Sequence, residues 1–383
     1  MPLIYRLRKA FMMLASALLF VSCNNLAEVS VFNNSDVDRE GELVELCLCS
    51  FKRVDPAKLV VLDSSGNQLP VQLVYRGEVE PQAFVFPVSL KAGEKALYTV
   101  KEGEPATVAV KTFVRQVPER KDDVAWENDR IAFRAYGPAL ANENPSNGFD
   151  VWYKRTNNLI IDKWYKDDLA GVASYHDDHG EGLDCYKVAH TLGAGAIAPY
   201  TTDSVWVYGH YDRFKVLDKG PLRSSFVLYY DSVPYDGHTL KAEIQVTLDA
   251  GSNLNEICAR FMGDTAQIRL AAGIFLHDTV GVIHGHAEKG FVGYAENTLS
   301  QGKVASYQGR GYTGMVFLGR LAEVVQVDQH VLGITHYQQG EVYRYFAGAG
   351  WEKGGFPTDQ DWFVYLANQY KAKTNPLDVK ILK

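Results

Sequence analysis

The stretch LKAEIQVTLDAG, Leu240 to Gly251, sets Leu240, Ala242, Ile244, Val246 and Leu248 alternately with Lys241, Glu243, Gln245, Thr247 and Asp249. A period of two puts the apolar set on one face, which is the pattern of a half-buried antiparallel strand. The same reading extends in both directions along the chain. RIAFRAYG, FDVWYKR, SVWVYGHYDRFKVLD, SSFVLYYD, AEVVQVD and HVLGITHY are short strands broken by turns, and helical periodicity is nearly absent. Nearer the N-terminus, LVVLDSSGNQLPVQLVY reads as strand, turn and strand, and QAFVFPVSLKAGEKALYTVKEG repeats the pattern with KAGEK as its turn. The chain is therefore expected to be all-β. An N-terminal β-sandwich over residues 23–110 leads into a large antiparallel super-β-sandwich over residues 111–383 that carries a cleft. One helix is expected, in TDQDWFVYLANQYKAK near the C-terminus. Thr358 caps it, Asp361 stands at the capping-box position, and Trp362, Tyr365 and Leu366 share a face. No repeat period of solenoid or propeller type is present.

Residues 1–22 stand outside this pattern. Arg6, Arg8 and Lys9 precede an apolar run that ends in LFVS before Cys23. That is a secretory signal of lipoprotein type with Cys23 as the lipidated residue, and the run falls short of the ~20 residues a membrane span needs. The expected location is the cell envelope, facing the periplasm or the cell surface, with the lipid as the only membrane contact. Loss of the three basic residues takes the net charge from −7 to −10. So acidic a protein is poorly suited to nucleic acid. Cys47, Cys49, Cys185 and Cys258 remain; no C-x-x-C occurs, and buried free thiols are expected.

Several catalytic signatures are missing: G-x-S-x-G, H-E-x-x-H and the P-loop. GAGAIA, Gly193 to Ala198, matches G-x-G-x-x-A, but Pro199 follows where a nucleotide fold needs a helix. Two stretches concentrate chemistry. YHDDHGEGLDCY, Tyr175 to Tyr186, reads as a loop because Gly180 and Gly182 flank Glu181. A calcium loop starting at Asp177 fails at Val188, where a bidentate Glu is required. Zinc on His176, His179 and a carboxylate has no familiar spacing. Histidines beside carboxylates suit acid–base work, and a solvated acidic loop suits the same residues. The second stretch, PERKDDVAWENDRIAFRAYGPAL, Pro118 to Leu140, surrounds Trp126 with Arg120, Asp122, Asp123, Glu127, Arg130 and Arg134. Its arginines can hold a carboxylate and its rings can stack on a sugar, or the charges can simply brace strand ends.

These two stretches, with GFDVWYKR, DKGPLRSSF and VTLDAGSNLNEI in the same order, resemble a family of secreted Bacteroidetes proteins and lipoproteins defined by a domain of unknown function. The resemblance covers roughly residues 28–370. It implies a galactose-mutarotase-like β-sandwich and an association with the breakdown of pectin and other uronate polysaccharides. Fold does not select the chemistry. The expected function is a carbohydrate-active enzyme on uronate-containing oligosaccharides or polysaccharides, foremost a lyase working by β-elimination. His176 or His179 would be the base and Tyr175 or Glu181 the acid. Arg120, Arg134 or Arg223 would neutralise the uronate, with Asp122, Asp123, Trp126, Glu127, Trp152 and Asp184 completing the substrate site. No cofactor is required, and a bound divalent metal stays open. A hydrolase would draw two carboxylates from Asp122, Asp123, Glu127, Glu181 and Asp184. A mutarotase or epimerase needs one His and one carboxylate. A non-catalytic glycan binder would use Trp126 and Trp152.

Overall fold

The computed structural model describes residues 25–382 apart from 52–53, 144, 203, 265–266, 278–279, 302–304 and 320. The signal segment and Cys23 lie outside the described residues. The architecture is two β-sandwiches in series. In the first, a five-stranded sheet runs in the order Asp378–Leu382, Asn25–Phe32, Lys95–Glu102, Leu59–Leu62, Gln68–Leu69. It packs on a three-stranded sheet of Arg39–Cys47, Ala83–Leu90 and Gln72–Val74. Val29, Val31, Phe84, Phe86 and Val100 form its core. The expected boundary of the second unit needs one correction. The C-terminal strand returns to the first sandwich, with Val29 opposite Ile381 and Val31 opposite Val379.

The second sandwich faces an eight-stranded antiparallel sheet against two five-stranded ones. The Leu240–Gly251 stretch lies in the strand His238–Asp249, third in the eight-stranded sheet. Its apolar set is buried and its polar set is turned outward, as the alternation predicts. Burial of each larger aliphatic side chain contributes about 1.5–3 kcal/mol. The opposing layer is made of Ser204–Val205, Ala194–Thr201, Gln267–Phe275, His330–Gln338 and Glu323–Val327, and of a further sheet described below. GAGAIA runs from Gly193 into Ala194–Thr201, a strand and not a nucleotide loop, and a Cβ at Gly195 would collide with Ala347 of the facing sheet.

The helix α2, Asp359–Thr374, begins in the expected capping box, with the Thr358 and Asp361 side chains each bonded to the other's backbone N–H. It covers the outer face of the far half of the eight-stranded sheet. Trp362, Phe363 and Leu366 pack on Phe291, Tyr312 and Phe346. Gly293 and Gly314 make the groove, since a Cβ at either would come within 2.6–2.7 Å of Leu366. A second helix, α1, Ile161–Leu169, was not expected from the sequence. The cysteine reading is corrected as well. The strand ends at Cys47 and turns into a short 3-10 helix, Leu48–Ser50, which brings Cys47 and Cys49 together as a disulfide with Cα atoms 5.2 Å apart. Cys185 and Cys258 are free.

Candidate functional site

The site sheet comprises Gly182–Asp184, Phe149–Lys154, Ala132–Ala135, Asp123–Asn128 and Thr112–Val117. Both charge-dense stretches contribute strands to it. Alternation sorts its residues. Val124, Trp126, Phe133, Phe149, Val151 and Tyr153 face the core, while Asp123, Glu127, Arg134, Asp150, Trp152, Lys154 and Asp184 face outward beneath α1 and the loop carrying Tyr175.

Arg134 is the centre of the outer face. It stands directly across from Asp150 in the ladder. Its Nε donates to Asp150 Oδ2 at 2.8 Å, its Nη2 to Asp184 Oδ2 at 2.9 Å, and its Nη1 to the Tyr175 hydroxyl at 3.4 Å. Asp123 Oδ2 lies 3.9 Å from Arg134 and 3.9 Å from Arg120. The backbone N–H of Gly137 donates to Asp123 Oδ1 at 3.1 Å, and the Tyr165 hydroxyl reaches Oδ2 at 3.5 Å. Aromatic rings wall the cluster. Trp152 packs on Trp164, Tyr165 and Tyr175 with centroids 4.9–5.5 Å apart, and the Arg134 guanidinium lies 5.3 Å from the Trp152 ring.

Three buried carboxylates thus share two guanidiniums. Burial raises Asp123 to about 6, against the pull of Arg134 and Arg120. Burial and the Asp150 charge push Asp184 up, and burial raises Asp150 against the pull of Arg134. Burial works against the charge on Arg134, but Asp150 and Asp184 outweigh it and hold its pKa raised. A raised Asp123 binds its proton more tightly folded than unfolded. Its contribution to stability is therefore full below the ordinary carboxylate range and is lost as pH rises toward 6. Asp123→Asn fixes the neutral form. Thermal melts should show the variant gaining on wild type by roughly 2–3 kcal/mol between pH 4 and pH 7.5. A pH-independent difference between the two proteins would contradict the assignment.

At the edge of this cluster two side chains reach solvent. The Arg120 side chain is 27% exposed, and its Nη1 is buried with no hydrogen-bond partner. Lys121 and Asp122 follow in left-handed conformation, φ 52° and 61°, at about 1–2 kcal/mol each. Gly137 allows this turn, since a Cβ there would collide with the Asp122 backbone, and the Tyr211 hydroxyl donates to the Asp122 carbonyl. The strained turn sets Arg120 above Asp123. His176 is the second group, with its side chain 32% exposed. Its Nδ1 lies 3.0 Å from the Asp184 carbonyl oxygen and 3.7 Å from Asp184 Oδ2. The backbone carbonyl can only accept, so Nδ1 carries the proton and Nε2 of the neutral ring presents a lone pair.

The other expected site residues are arranged differently. Trp126 is fully buried on the core face, donating to Asn255 Oδ1 at 2.8 Å and packed on Phe133, Phe149 and Phe226; it has no surface for a sugar. Trp152 is enclosed by the aromatic wall and is equally closed to ligand. Glu127 is buried, paired with Lys154 at 2.7 Å and accepting from the N–H groups of Ile160 and Ile161, so it caps α1. Glu181 is held by Lys163 at 3.0 Å and by the Trp164 indole at 3.3 Å. His179 is exposed and turned to the Ser174 carbonyl at 3.0 Å. Arg223 lies outside the cluster, clamped by Asp249 and Glu45 where the two sandwiches join. The zinc pairing is not formed, since His176 and His179 face different carbonyls. Among the described residues no three of His, Cys, Asp and Glu are grouped to hold a metal ion. Asp150, Tyr165 and Lys154 were not singled out from the sequence. Asp150 becomes visible only once its strand is set beside Arg134.

Fold and site together define an all-β, two-sandwich protein with a buried guanidinium–carboxylate cluster that opens at Arg120 and His176. The chain belongs to the family of the domain of unknown function DUF4861, whose model matches residues 31–379. It is 27% identical over 399 aligned positions to "Uncharacterized protein P7" of Formosa agariphila, covering 96% of this chain and 98% of that one. Among solved structures it is similar to an alpha-mannosidase from Enterococcus faecalis, with TM-score 0.55 and 8% identity over 93% of this chain. It is also similar to a glycosyl hydrolase family 38 protein of the same organism, with TM-score 0.51 and 9% identity over 93% of this chain. The chain spans about half the length of those two proteins, 46% and 47%. At such identities the likeness is one of fold.

Proposed function

We propose that this protein is a carbohydrate-active enzyme that cleaves uronate-containing oligosaccharides by β-elimination at the Arg120–Tyr175–His176 mouth. The observation that carries the reading is the orientation of His176. Its Nδ1–H is fixed on Asp184, its Nε2 is available as a base, its ring packs on Tyr175, and Arg120 in turn bonds to Tyr175. In this reading Arg120 binds the uronate carboxylate and acidifies the C5 proton. His176 Nε2 removes that proton, and electrons flow into a C4–C5 double bond as the glycosidic C4–O bond breaks. The Tyr175 hydroxyl, held by Arg134 and Arg120, protonates the leaving oxygen. Arg134, Asp123, Asp150 and Asp184 position these groups from beneath. The likeness of fold to an alpha-mannosidase and a glycosyl hydrolase family 38 protein supports a glycan substrate. The protein would act at the cell envelope, tethered through Cys23.

The test is an ultraviolet assay for the unsaturated product on purified mature protein, with oligogalacturonate, alginate and other glycans built of 4-linked uronates. Time-dependent absorbance with at least one of them is expected. A folded protein that generates no unsaturated end on any carboxylated glycan defeats the proposal.

A further inference from the structure

On the outer face of the eight-stranded sheet, across the sandwich from the His176 mouth, a cleft of about 730 Å³ opens between the two sandwiches. That lies within the range of about 300–1,000 Å³ typical of small-molecule sites. Strand register sets its floor. Tyr229, Glu243 and Arg260 are neighbours on successive strands, and Arg344 on the next strand stands opposite Cys258 one row along. These are the outward residues of the same alternation that buries Ala242, Ile244 and Val246.

The cleft is built before any ligand arrives. Gln72 of the first sandwich accepts from the Leu222 N–H at 2.6 Å and donates to the Arg223 carbonyl at 2.9 Å. The Tyr75 N–H donates to Asp218 at 2.6 Å, and Arg223 bridges to Glu45 and Asp249. These bonds tie the wall to the floor.

Its charge pattern narrows the ligand. The four arginines and four carboxylates lining the cleft balance, so there is no excess positive charge to select a polyanion. Two of the pairs are left unsaturated. Arg260 Nη1 lies 3.5 Å from Glu243, and Arg344 engages Glu256 through Nε at 3.0 Å. Arg260 Nε is buried with no hydrogen-bond partner. A guanidinium has five N–H donors and a carboxylate about four acceptor positions, so both partners retain capacity. Adjacent donors and acceptors at strand spacing suit a ligand that offers both everywhere, namely the vicinal hydroxyls of a sugar chain. We infer that this cleft is a second glycan-binding site, for a neutral, hydroxyl-rich oligosaccharide, held by the Glu243–Arg260 and Glu256–Arg344 pairs. It does not depend on the chemistry at His176.

Calorimetry on the mature protein with short mannan, xylan and galactan oligosaccharides tests this. At least one should bind, with little dependence on added salt. Glu243→Gln and Arg344→Ala, both substitutions of partly exposed side chains, should each weaken that binding at least about tenfold while melting with wild type. His176→Ala should bind the neutral oligosaccharide as wild type does. Absence of binding to every neutral glycan overturns the inference. So does binding that survives both cleft substitutions, or that is lost in His176→Ala alone. A steep fall of affinity with salt also overturns it, because it marks a polyanion site.

Discussion

Replacing Arg134 by alanine should lower the melting temperature by on the order of 10 °C. The side chain is buried and bonds to Asp150 and Asp184, two carboxylates with essentially no solvent exposure. Truncation leaves both charges unpaired in a dry site, and breaking a buried pair this way costs about 3–5 kcal/mol. That is a large share of the ~5–15 kcal/mol by which proteins are stable. A kcal/mol shifts a melt by roughly 2–4 °C for domains of 150–250 residues. The cause is separable from lost packing. If unpaired charge dominates, adding Asp150→Asn and Asp184→Asn to Arg134→Ala should recover about half the loss. The single variant should also approach wild type as pH falls, since burial raises both carboxyls and protonation removes the unpaired charge. A melt within 2 °C of wild type, or a deficit untouched by the amides and by pH, would show that the cluster is not held by its charges.

The uneven legibility of this protein in its sequence has a physical cause. Alternation identified strands such as His238–Asp249 because one face of each is buried and the other is not. α2 was visible because its cap is local, with Thr358 and Asp361 three residues apart. α1 was not, because nine residues give a single apolar contact of Ile161, Trp164 and Tyr165, and its cap is the carboxylate of Glu127, 33 residues upstream of Ile160. The closing strand Asp378–Leu382 was hidden because its partner is the first strand of the chain. At the site, charge density marks both segments that meet around Arg134, but it does not say which face each residue takes. Trp126 and Glu127 are adjacent on a strand and point to opposite faces, so one substrate site cannot use both. The pairing of Arg134 with Asp150 is a cross-strand relation, fixed by register and absent from either segment alone.

His176→Ala should abolish most turnover of a carboxylated glycan while leaving the fold intact. A positioned base contributes about 10²–10⁴-fold to proton transfer, so a fall in kcat of that size is expected, with little change in KM because the proposed mechanism gives carboxylate binding to Arg120. In the proposed mechanism the orientation selects His176 over His179 as the base. His176 has its Nδ1–H anchored on Asp184 and its other nitrogen open, whereas His179 turns Nε2 to the Ser174 carbonyl on an exposed loop. His179→Ala should therefore stay within about threefold of wild type. The two variants also differ in pH behaviour. A base must be unprotonated to act, so the rise of kcat/KM on the acid side of the wild-type profile should persist in His179→Ala and vanish in His176→Ala. Equal losses in both variants would point to a shared loop function, and full activity in His176→Ala would remove the base from the mechanism. Arg120→Lys adds a separate check. It keeps the charge but loses the forked geometry, and should raise KM for carboxylated substrates more than it lowers kcat.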